Sequence, residues 1–248
     1  MVRRLSAALL FLLALGFAAP MPAMAQTVVD GITAQDQKDY KKALEIFEKL
    51  ARAGNVEAMF NLAKMVQAGY GIDKPDPVAA LAWYKLAADT DPLRGDPAFH
   101  VGILLIRGEG VKEDPAMAYQ YFAKAARANH IDAQYNAGVM KYEAIGIPED
   151  KIEGTMWFML AARVGYPPAI SAREKAFGEL KSAQLEEAQK KANVVIAEIE
   201  KNNRARQARA GGAKPPTTSP AGTAPAGGQP AAKPPAATPP AAGAAQPK

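Results

Sequence analysis

Apolar residues recur along residues 39–163 at the spacings of three and four that place side chains on one face of a helix. The pattern repeats every 36 to 38 residues, and each clear segment begins at an aspartate: Asp39, Asp76, Asp114 and Asp150. A small residue follows each aspartate by four positions, a large residue by seven, and a pair that contains alanine by eleven and twelve. Alternating large and small residues let stacked helices approach closely. The pattern therefore predicts a stack of short helices built from a repeated unit.

The four aspartates are predicted to cap these helices. An aspartate just before the first helical residue accepts hydrogen bonds from free backbone N–H groups and faces the positive end of the helix dipole. Pro77 and Pro115 stand at the next position, where a helix needs no N–H donor. Capping explains these carboxylates without any catalytic role.

A looser helical segment precedes three of these aspartates. These first helices begin at Glu57, Asp96 and Asp132, and they end in Gly-Tyr-Gly-Ile, Gly-Glu-Gly-Val and Ala-Ile-Gly-Ile. Glycine just after a helix supplies the left-handed conformation of a C-cap. A phosphate-binding loop would instead follow a strand and carry a lysine after its glycines. We interpret the glycine loops as connections between the two helices of each unit.

The order of these motifs resembles the Sel-one-like repeat, a short relative of the tetratricopeptide repeat. The resemblance covers roughly residues 36–200 and is most specific at Gly-Glu-Gly-Val-Lys-Glu-Asp, residues 108–114, and Trp-Phe-Met-Leu-Ala-Ala, residues 157–162. It implies an all-α fold, a right-handed α/α solenoid of about four repeats with a C-terminal capping helix. Three departures predict local adjustments: Gly154 in an alanine column, Lys141 in a usually aromatic column, and extra residues around Asp-Pro-Leu-Arg-Gly-Asp, residues 91–96.

The apolar surface at the C-terminal end of the last repeat must also be covered. Residues 168–180 predict one more first helix, and residues 182–207 predict a longer last helix. Its apolar stripe consists of Leu185, Ala188, Ala192, Val195 and Ile199. A capping helix with a polar outer face is what a solenoid needs for solubility, and a dimerising coiled coil is the alternative.

The two ends of the chain differ from the repeats. Residues 1–25 have the positive start, apolar run and small residues of a secretory signal, with a predicted cut between Ala25 and Gln26; a single membrane anchor is the alternative. Residues 26–35 are assigned to an N-terminal lead, and residues 36–209 to the repeats and the capping helix. Residues 210–248 are rich in proline and alanine and are predicted to be a disordered tail, acting as a spacer, a ligand for a proline-binding groove, or a solubilising segment.

Charge and composition exclude several function classes. The chain carries +5, but the signal and the basic end hold the excess: Arg3 and Arg4 account for two charges, and residues 201–248 contain seven basic residues and no acid, which leaves −4 for residues 26–200. The repeats therefore lack the electrostatic footprint of a nucleic-acid-binding protein. The absence of cysteine excludes disulfides and thiolate chemistry, and with only two histidines in the chain we expect no histidine metal site.

One column of the first helices is the best candidate for a binding surface. Asn61, His100 and Asn136 align there, each preceded by an aromatic residue. If this column faces the groove of the solenoid, the asparagine amides can donate to and accept from an extended peptide backbone. The alternative is that the amides bond to the neighbouring repeat and the aromatic residues belong to the core. Further residues on this face that we expect to tune the charge of the groove are Lys64, Arg107 and Glu143.

The resemblance implies a scaffold without chemistry of its own. We therefore predict a monomeric, non-enzymatic, periplasmic or secreted scaffold that binds a protein or peptide of the cell envelope in its concave groove. No cofactor, metal, nucleic acid or membrane span after signal cleavage is expected. The alternative is a regulatory subunit or hydrolase acting on the cell envelope, and a hydrolase would require a buried carboxylate pair in a cleft.

Overall fold

The computed structural model describes residues 26–211, with side chains to residue 209. The predicted signal and almost all of the predicted tail lie outside these residues. The described residues form ten α-helices and no strands, which confirms the predicted all-α fold. The helices are α1 (Val28–Asp36), α2 (Tyr40–Arg52), α3 (Val56–Ala68), α4 (Pro77–Thr90), α5 (Gly95–Arg107), α6 (Pro115–Arg127), α7 (Ile131–Tyr142), α8 (Lys151–Arg163), α9 (Pro167–Glu179) and α10 (Ser182–Gly211).

The helices form an array in which each packs on the next along the chain from α1 to α9. Odd-numbered helices α3, α5 and α7 are the predicted first helices, and α2, α4, α6 and α8 are the second helices. We keep these two terms below. The array is the all-α solenoid that the sequence predicted.

The array begins earlier than the predicted start at residue 36. Helix α1 occupies most of the segment assigned to an N-terminal lead, and its Ala34 is 2% exposed against the core. A capping box starts this helix, because Thr27 and Asp30 bond to each other's backbone N–H. The helix that follows this capping box has only a weak apolar periodicity. The sequence pattern alone therefore did not delimit α1.

The core of each second helix uses a different large residue from the one that the sequence pattern emphasised. The residue seven positions after the cap is buried in α2 and α8 but only partly buried at Trp83 and Tyr121. The residue eight positions after the cap is buried in all four helices: Phe47, Tyr84, Phe122 and Phe158. Position eight shares a face with the alanines at positions four, eleven and twelve, because two helical turns span about seven residues. The aromatic rings at position eight are therefore the large side chains that fill the core between the stacked helices.

Gly154 is required by the close approach of α7 and α8. A Cβ atom on Gly154 would lie 2.8 Å from the Tyr142 Cβ and 3.0 Å from the carbonyl oxygen of Gly138. Gly138 in turn faces the Phe158 ring, where a Cβ would lie 2.6 Å from ring atoms. Glycine thus stands in the alanine column because the backbones of two helices meet there.

We expect Gly154→Ala to destabilise the protein by about 1 to 3 kcal/mol, although alanine favours helix by about 1 kcal/mol. The cost arises because the new methyl group must push α7 away from α8. Denaturant unfolding measures the change, and Gly178→Ala is the matched control, since a Cβ at this helical glycine meets nothing within 4 Å. Equal stability of the two alanine variants would contradict this account of Gly154.

Position 141 is usually aromatic in the repeat pattern, whereas this chain has a lysine there. The ammonium group of Lys141 lies over the ring of Tyr119. Its Nζ lies 5.1 Å from the centroid of the Tyr119 ring and 3.3 Å from a carboxylate oxygen of Glu153. Tyr119 donates a hydrogen bond to the same carboxylate. The Lys141 departure is therefore accommodated by an ion pair between α7 and α8 together with a cation–π contact.

Helix α10 closes the array and buries its predicted stripe within the chain. Ala188, Ala192, Val195 and Ile199 are at most 4% exposed and belong to the main core cluster. Glu198 also forms an ion pair of 2.6 Å with Arg127 at the end of α6, and the Asn202 amide donates to the Arg127 carbonyl oxygen at 3.4 Å.

Candidate functional site

The four repeat aspartates are helix caps. Asp39, Asp76, Asp114 and Asp150 each accept a hydrogen bond from the backbone N–H three residues later, at 3.3, 2.9, 2.9 and 2.8 Å. These carboxylates were the main candidates for the acid pair that a hydrolase would need. Their acceptor positions are used by the backbone of the second helices.

Asn61 and Asn136 bond to their own helices. The Asn61 Nδ2 donates to the carbonyl oxygen of Glu57 at 3.0 Å, and the Asn136 Nδ2 donates to that of Asp132 at 2.7 Å. The amides therefore do not bond to a neighbouring repeat. Each bond fixes the orientation of a half-buried amide and leaves its Oδ1 without a hydrogen bond to any described residue. A carbonyl oxygen of this kind can accept one or two further hydrogen bonds.

His100 lies in a cluster of aromatic rings that joins α3, α4 and α5 with the residue that caps α7. Its ring stacks on Tyr84 at a centroid distance of 4.9 Å and meets the edges of Phe60 at 5.4 Å and Phe99 at 5.7 Å. Phe99 stacks in turn on His130 at 4.3 Å. We call these five residues the aromatic cluster. The position of His100 within it gives the histidine a structural role in addition to any contact with a partner.

Burial favours the neutral form of both histidines of the cluster. Burial, assisted by the nearby positive charge of Lys64, lowers the pKa of His100 to about 4. Burial also lowers the pKa of His130, against the opposing effect of Asp96. The His130 Nδ1 accepts the Ala133 N–H at 3.2 Å and so caps α7, which requires this nitrogen to carry no proton.

Two cations lie over one ring of the cluster. Lys64 Nζ is 5.6 Å and the Arg94 guanidinium carbon 5.7 Å from the centroid of Phe60. Arg94 also lies 3.7 Å from a Glu57 oxygen and 3.8 Å from an Asp96 oxygen. Sequence reasoning did not include Arg94 in the site. The signal was present in the extra residues 91–96, because this insertion places Arg94 at the start of α5 beside α3.

Arg107 and Glu143 lie apart from this cluster and have local partners. Arg107, the last residue of α5, pairs with Glu109 of the following loop at 3.4 Å. Glu143 pairs with Lys175 of α9 at 2.9 Å. Of the six predicted binding residues, the structure brings Lys64 and His100 together around Phe60, next to Asn61 on α3. Asn136, Arg107 and Glu143 lie elsewhere on the first helices.

Other features of the described residues do not coincide with this site. No group of three or more metal-ligating side chains occurs between residues 26 and 209. Among the described helices, none combines the length and the apolar character that crossing a bilayer requires. A cavity of about 430 Å³ at the start of α2 is lined by residues 38–41 and 71–73. None of the six predicted binding residues contributes to that cavity.

Comparison with known proteins assigns the repeats. The Sel1 repeat family model matches residues 30–55, 56–90, 98–130 and 131–166. Each matched range contains one helix pair or most of it, from α1 and α2 to α7 and α8. These matches confirm the resemblance that the motifs predicted.

One curated relative is chitin synthase regulatory factor 3 of Schizosaccharomyces pombe (strain 972 / ATCC 24843), which is 25% identical over 146 residues. The aligned part is 58% of this chain and 15% of that protein, so the chain spans only a small part of the relative.

Two solved structures are similar to the chain. A Sel1 repeat protein from Oxalobacter formigenes has a TM-score of 0.55 and 24% identity, over 59% of each chain. The protective antigen c5321 of uropathogenic Escherichia coli has a TM-score of 0.42 and 22% identity, over 80% of this chain and 51% of that one. The similarity to the Oxalobacter formigenes protein is a similarity of fold.

Proposed function

This chain belongs to the Sel1 repeat family, and we propose that it is a non-enzymatic scaffold of the cell envelope that binds an extended segment of a partner protein along its first helices. Sel1 repeats fit protein–protein interaction, and the family is generally one of scaffolds without catalysis. The location rests on the signal pattern of residues 1–25. The binding surface rests on the residues of α3, α5 and α7.

The observation that carries the binding surface is the pair of oriented amides. Asn61 and Asn136 occupy the same position of two first helices, and each is fixed by a bond to its own helix with Oδ1 left to accept another donor. An extended peptide offers backbone N–H groups at regular intervals, and these are suitable donors. His100 occupies the same position between them but is packed among rings, so it contributes shape rather than an amide.

Lys64 and Phe60 extend the surface beside Asn61. Lys64 is exposed, and its ammonium group has no carboxylate partner among the described residues. It can therefore pair with an acidic side chain of the bound segment at modest desolvation cost. Arg94 is less available, because two carboxylates already flank it.

The experiment is in-cell cross-linking of the full chain, followed by identification of the captured protein. We expect Asn61→Ala combined with Asn136→Ala to remove most of the captured partner, because each change deletes one hydrogen-bond acceptor worth about 1 kcal/mol. Circular dichroism should show an unchanged fold. The matched control is Gln189→Ala with Asn193→Ala on α10, where two amides bond only to each other.

Undiminished capture by the Asn61 and Asn136 variant would contradict the proposed surface. The same cells test the location, because the cross-linked species should be recovered with the periplasmic or secreted fraction. Recovery with the cytoplasm would contradict the envelope assignment while leaving the binding surface open to test in that compartment.

A regulatory subunit is the second candidate function. The observation in its favour is the name of the curated relative, a regulatory factor of chitin synthase, which matches this chain over 146 residues. Under this hypothesis the captured partner is an enzyme of the envelope, and its rate changes when the scaffold is removed. Capture of a partner without catalytic activity would favour the simpler scaffold.

A further inference from the structure

The charge of helix α10 changes sign at Lys201. Residues 182–200 carry four glutamates and two lysines. Residues 201–209 carry four cations and no acid, and residues 210–248 add three lysines and again no acid. We call residues 201–209 the α10 extension, and its cations are Lys201, Arg204, Arg206 and Arg209. At 1.5 Å per residue, these four positive charges lie within about 12 Å of helix.

The α10 extension continues beyond the part of α10 that packs on the array. A helix presents the same face about every seven residues, so Arg206 continues the face of Ile199. Ile199 is 3% exposed in the core, whereas Arg206 is exposed to solvent. Between them, the half-buried Asn202 donates to the Arg127 carbonyl oxygen at 3.4 Å. The face that packs on the array at Ile199 therefore lies in solvent two turns later.

Three cations of the α10 extension are available to an outside partner. Lys201, Arg204 and Arg206 are exposed, and none of them forms an ion pair with a carboxylate of the residues that the structure describes. Earlier on the same helix, in contrast, Lys191 pairs with Glu187 at 3.6 Å. An anionic partner can therefore bind the extension without breaking an ion pair of these three side chains.

The composition of this segment favours a diffuse anionic surface over a pocket of another protein. Residues 201–211 contain no apolar side chain larger than that of alanine. A protein–protein interface has an apolar centre, and the segment has no side chain that could form one. An anionic bilayer needs no such centre, because its negative surface potential attracts lysine and arginine directly. Each cation held near such a bilayer strengthens binding by about fivefold.

We infer that the α10 extension binds the surface of an anionic phospholipid bilayer and holds the scaffold there. The same surface repels the repeats, since residues 26–200 carry a net charge of −4, and contact is therefore confined to the basic segment. The inference rests on the proposed location of the protein, because an exported chain meets anionic lipid rather than nucleic acid. The peptide surface proposed on the first helices takes no part in it.

Vesicle sedimentation tests the inference on residues 26–248, from which the signal is omitted so that its apolar run cannot insert into the lipid. The probes are vesicles of phosphatidylcholine alone and vesicles of equal parts of phosphatidylcholine and phosphatidylglycerol. We expect binding to the anionic vesicles only. Binding should be lost when the salt concentration is raised from about 0.1 to about 1 M, because the Debye length falls from about 10 to about 3 Å.

Removing the three available cations is expected to weaken binding to the anionic vesicles by about tenfold or more. The variant carries Lys201→Gln, Arg204→Gln and Arg206→Gln together. These side chains are exposed and form no ion pair with a described residue, so circular dichroism should show an unchanged fold.

The matched control carries Lys41→Gln, Lys42→Gln and Lys49→Gln, which remove the same charge from exposed positions of α2. We expect this control to bind the anionic vesicles within about threefold of the unchanged chain, because its cations lie outside the extension. Absence of binding to the anionic vesicles overturns the inference, and so does equal binding to the neutral ones or by the variant of the extension.

A DNA duplex separates the two kinds of polyanion. Tighter binding of the duplex than of the anionic vesicles at the same salt concentration overturns the lipid assignment, because the extension would then be a nucleic-acid surface. Vesicle binding is measured on the purified chain without its protein partner. A negative result therefore leaves the binding surface of Asn61 and Asn136 intact, and loss of partner capture by their variant leaves the lipid result intact.

Discussion

Replacing Gly110 by alanine is expected to destabilise the protein by on the order of 3 kcal/mol. Gly110 has a φ of 69°, in the left-handed region that an L residue enters at a cost. In addition, an added Cβ would lie 2.1 Å from the Cγ of Pro77, the first residue of the preceding second helix. The loop of one repeat must therefore move away from the helix of another, and the midpoint of denaturant unfolding measures the loss.

The variant Gly165→Ala distinguishes the cost of a left-handed backbone from the cost of the clash with Pro77. Gly165 has a φ of 81°, and an added Cβ there meets nothing within 4 Å, so only the backbone cost of about 1 to 2 kcal/mol applies. Combining Gly110→Ala with Pro77→Ala should recover part of the lost stability, because the clashing Cγ is then absent. If Gly110→Ala lowers the free energy of unfolding no more than Gly165→Ala does, the close contact between Gly110 and Pro77 does not contribute to stability.

The same contact recurs along the array. A Cβ on Gly146 would lie 2.3 Å from the Pro115 Cβ, and one on Gly71 would lie 2.6 Å from the carbonyl oxygen of Tyr40. In each case the glycine at the third position of the four-residue loop motif meets the first residue of the preceding second helix. The glycine loops therefore join successive repeats, which is a larger role than ending a helix.

Acidification is expected to destabilise the protein through His100 by about 3 kcal/mol in total. The pKa of His100 is about 4 in the folded chain and about 6.5 when exposed. The neutral form is favoured by folding, so the stabilisation is present above pH 6.5 and is lost as the pH falls towards 4. About 2 kcal/mol should be lost by pH 5, and His130, whose pKa is also lowered, adds to the loss.

His100→Phe is the matched variant for this effect. A phenyl ring keeps the stack on Tyr84 and the contacts with Phe60 and Phe99 but has no group that titrates. Unfolding by urea at several pH values from 7.5 to 5 should therefore show a flatter dependence for the variant, with the carboxylates contributing equally to both proteins. Parallel curves for the two proteins would show that His100 does not titrate in this range.

The sequence predicted which residues belong to the candidate site better than it predicted the contacts between them. The column of Asn61, His100 and Asn136 was identifiable because the repeats align, and the caps were identifiable because aspartate before a helix has a local meaning. Arg94 was not identified, since its contact with Phe60 joins α5 to α3 across an insertion of irregular length. The bonding of the asparagine amides also depends on side-chain conformations that a one-letter pattern does not contain.

Most of the fold follows from signals that act within a few residues. Helix caps, the apolar period and the left-handed glycines are decided by neighbours along the chain, so the amino-acid sequence by itself determined the repeat, the helices from α2 onward and their order. Contacts between repeats depend instead on how the helices stack. Only the tertiary structure decided that Phe47 and its equivalents fill the core, that Gly110 meets Pro77, and that the apolar stripe of α10 is buried within the chain. Packing joins residues that are far apart along the chain, such as Gly110 and Pro77, and no local pattern specifies which of them touch.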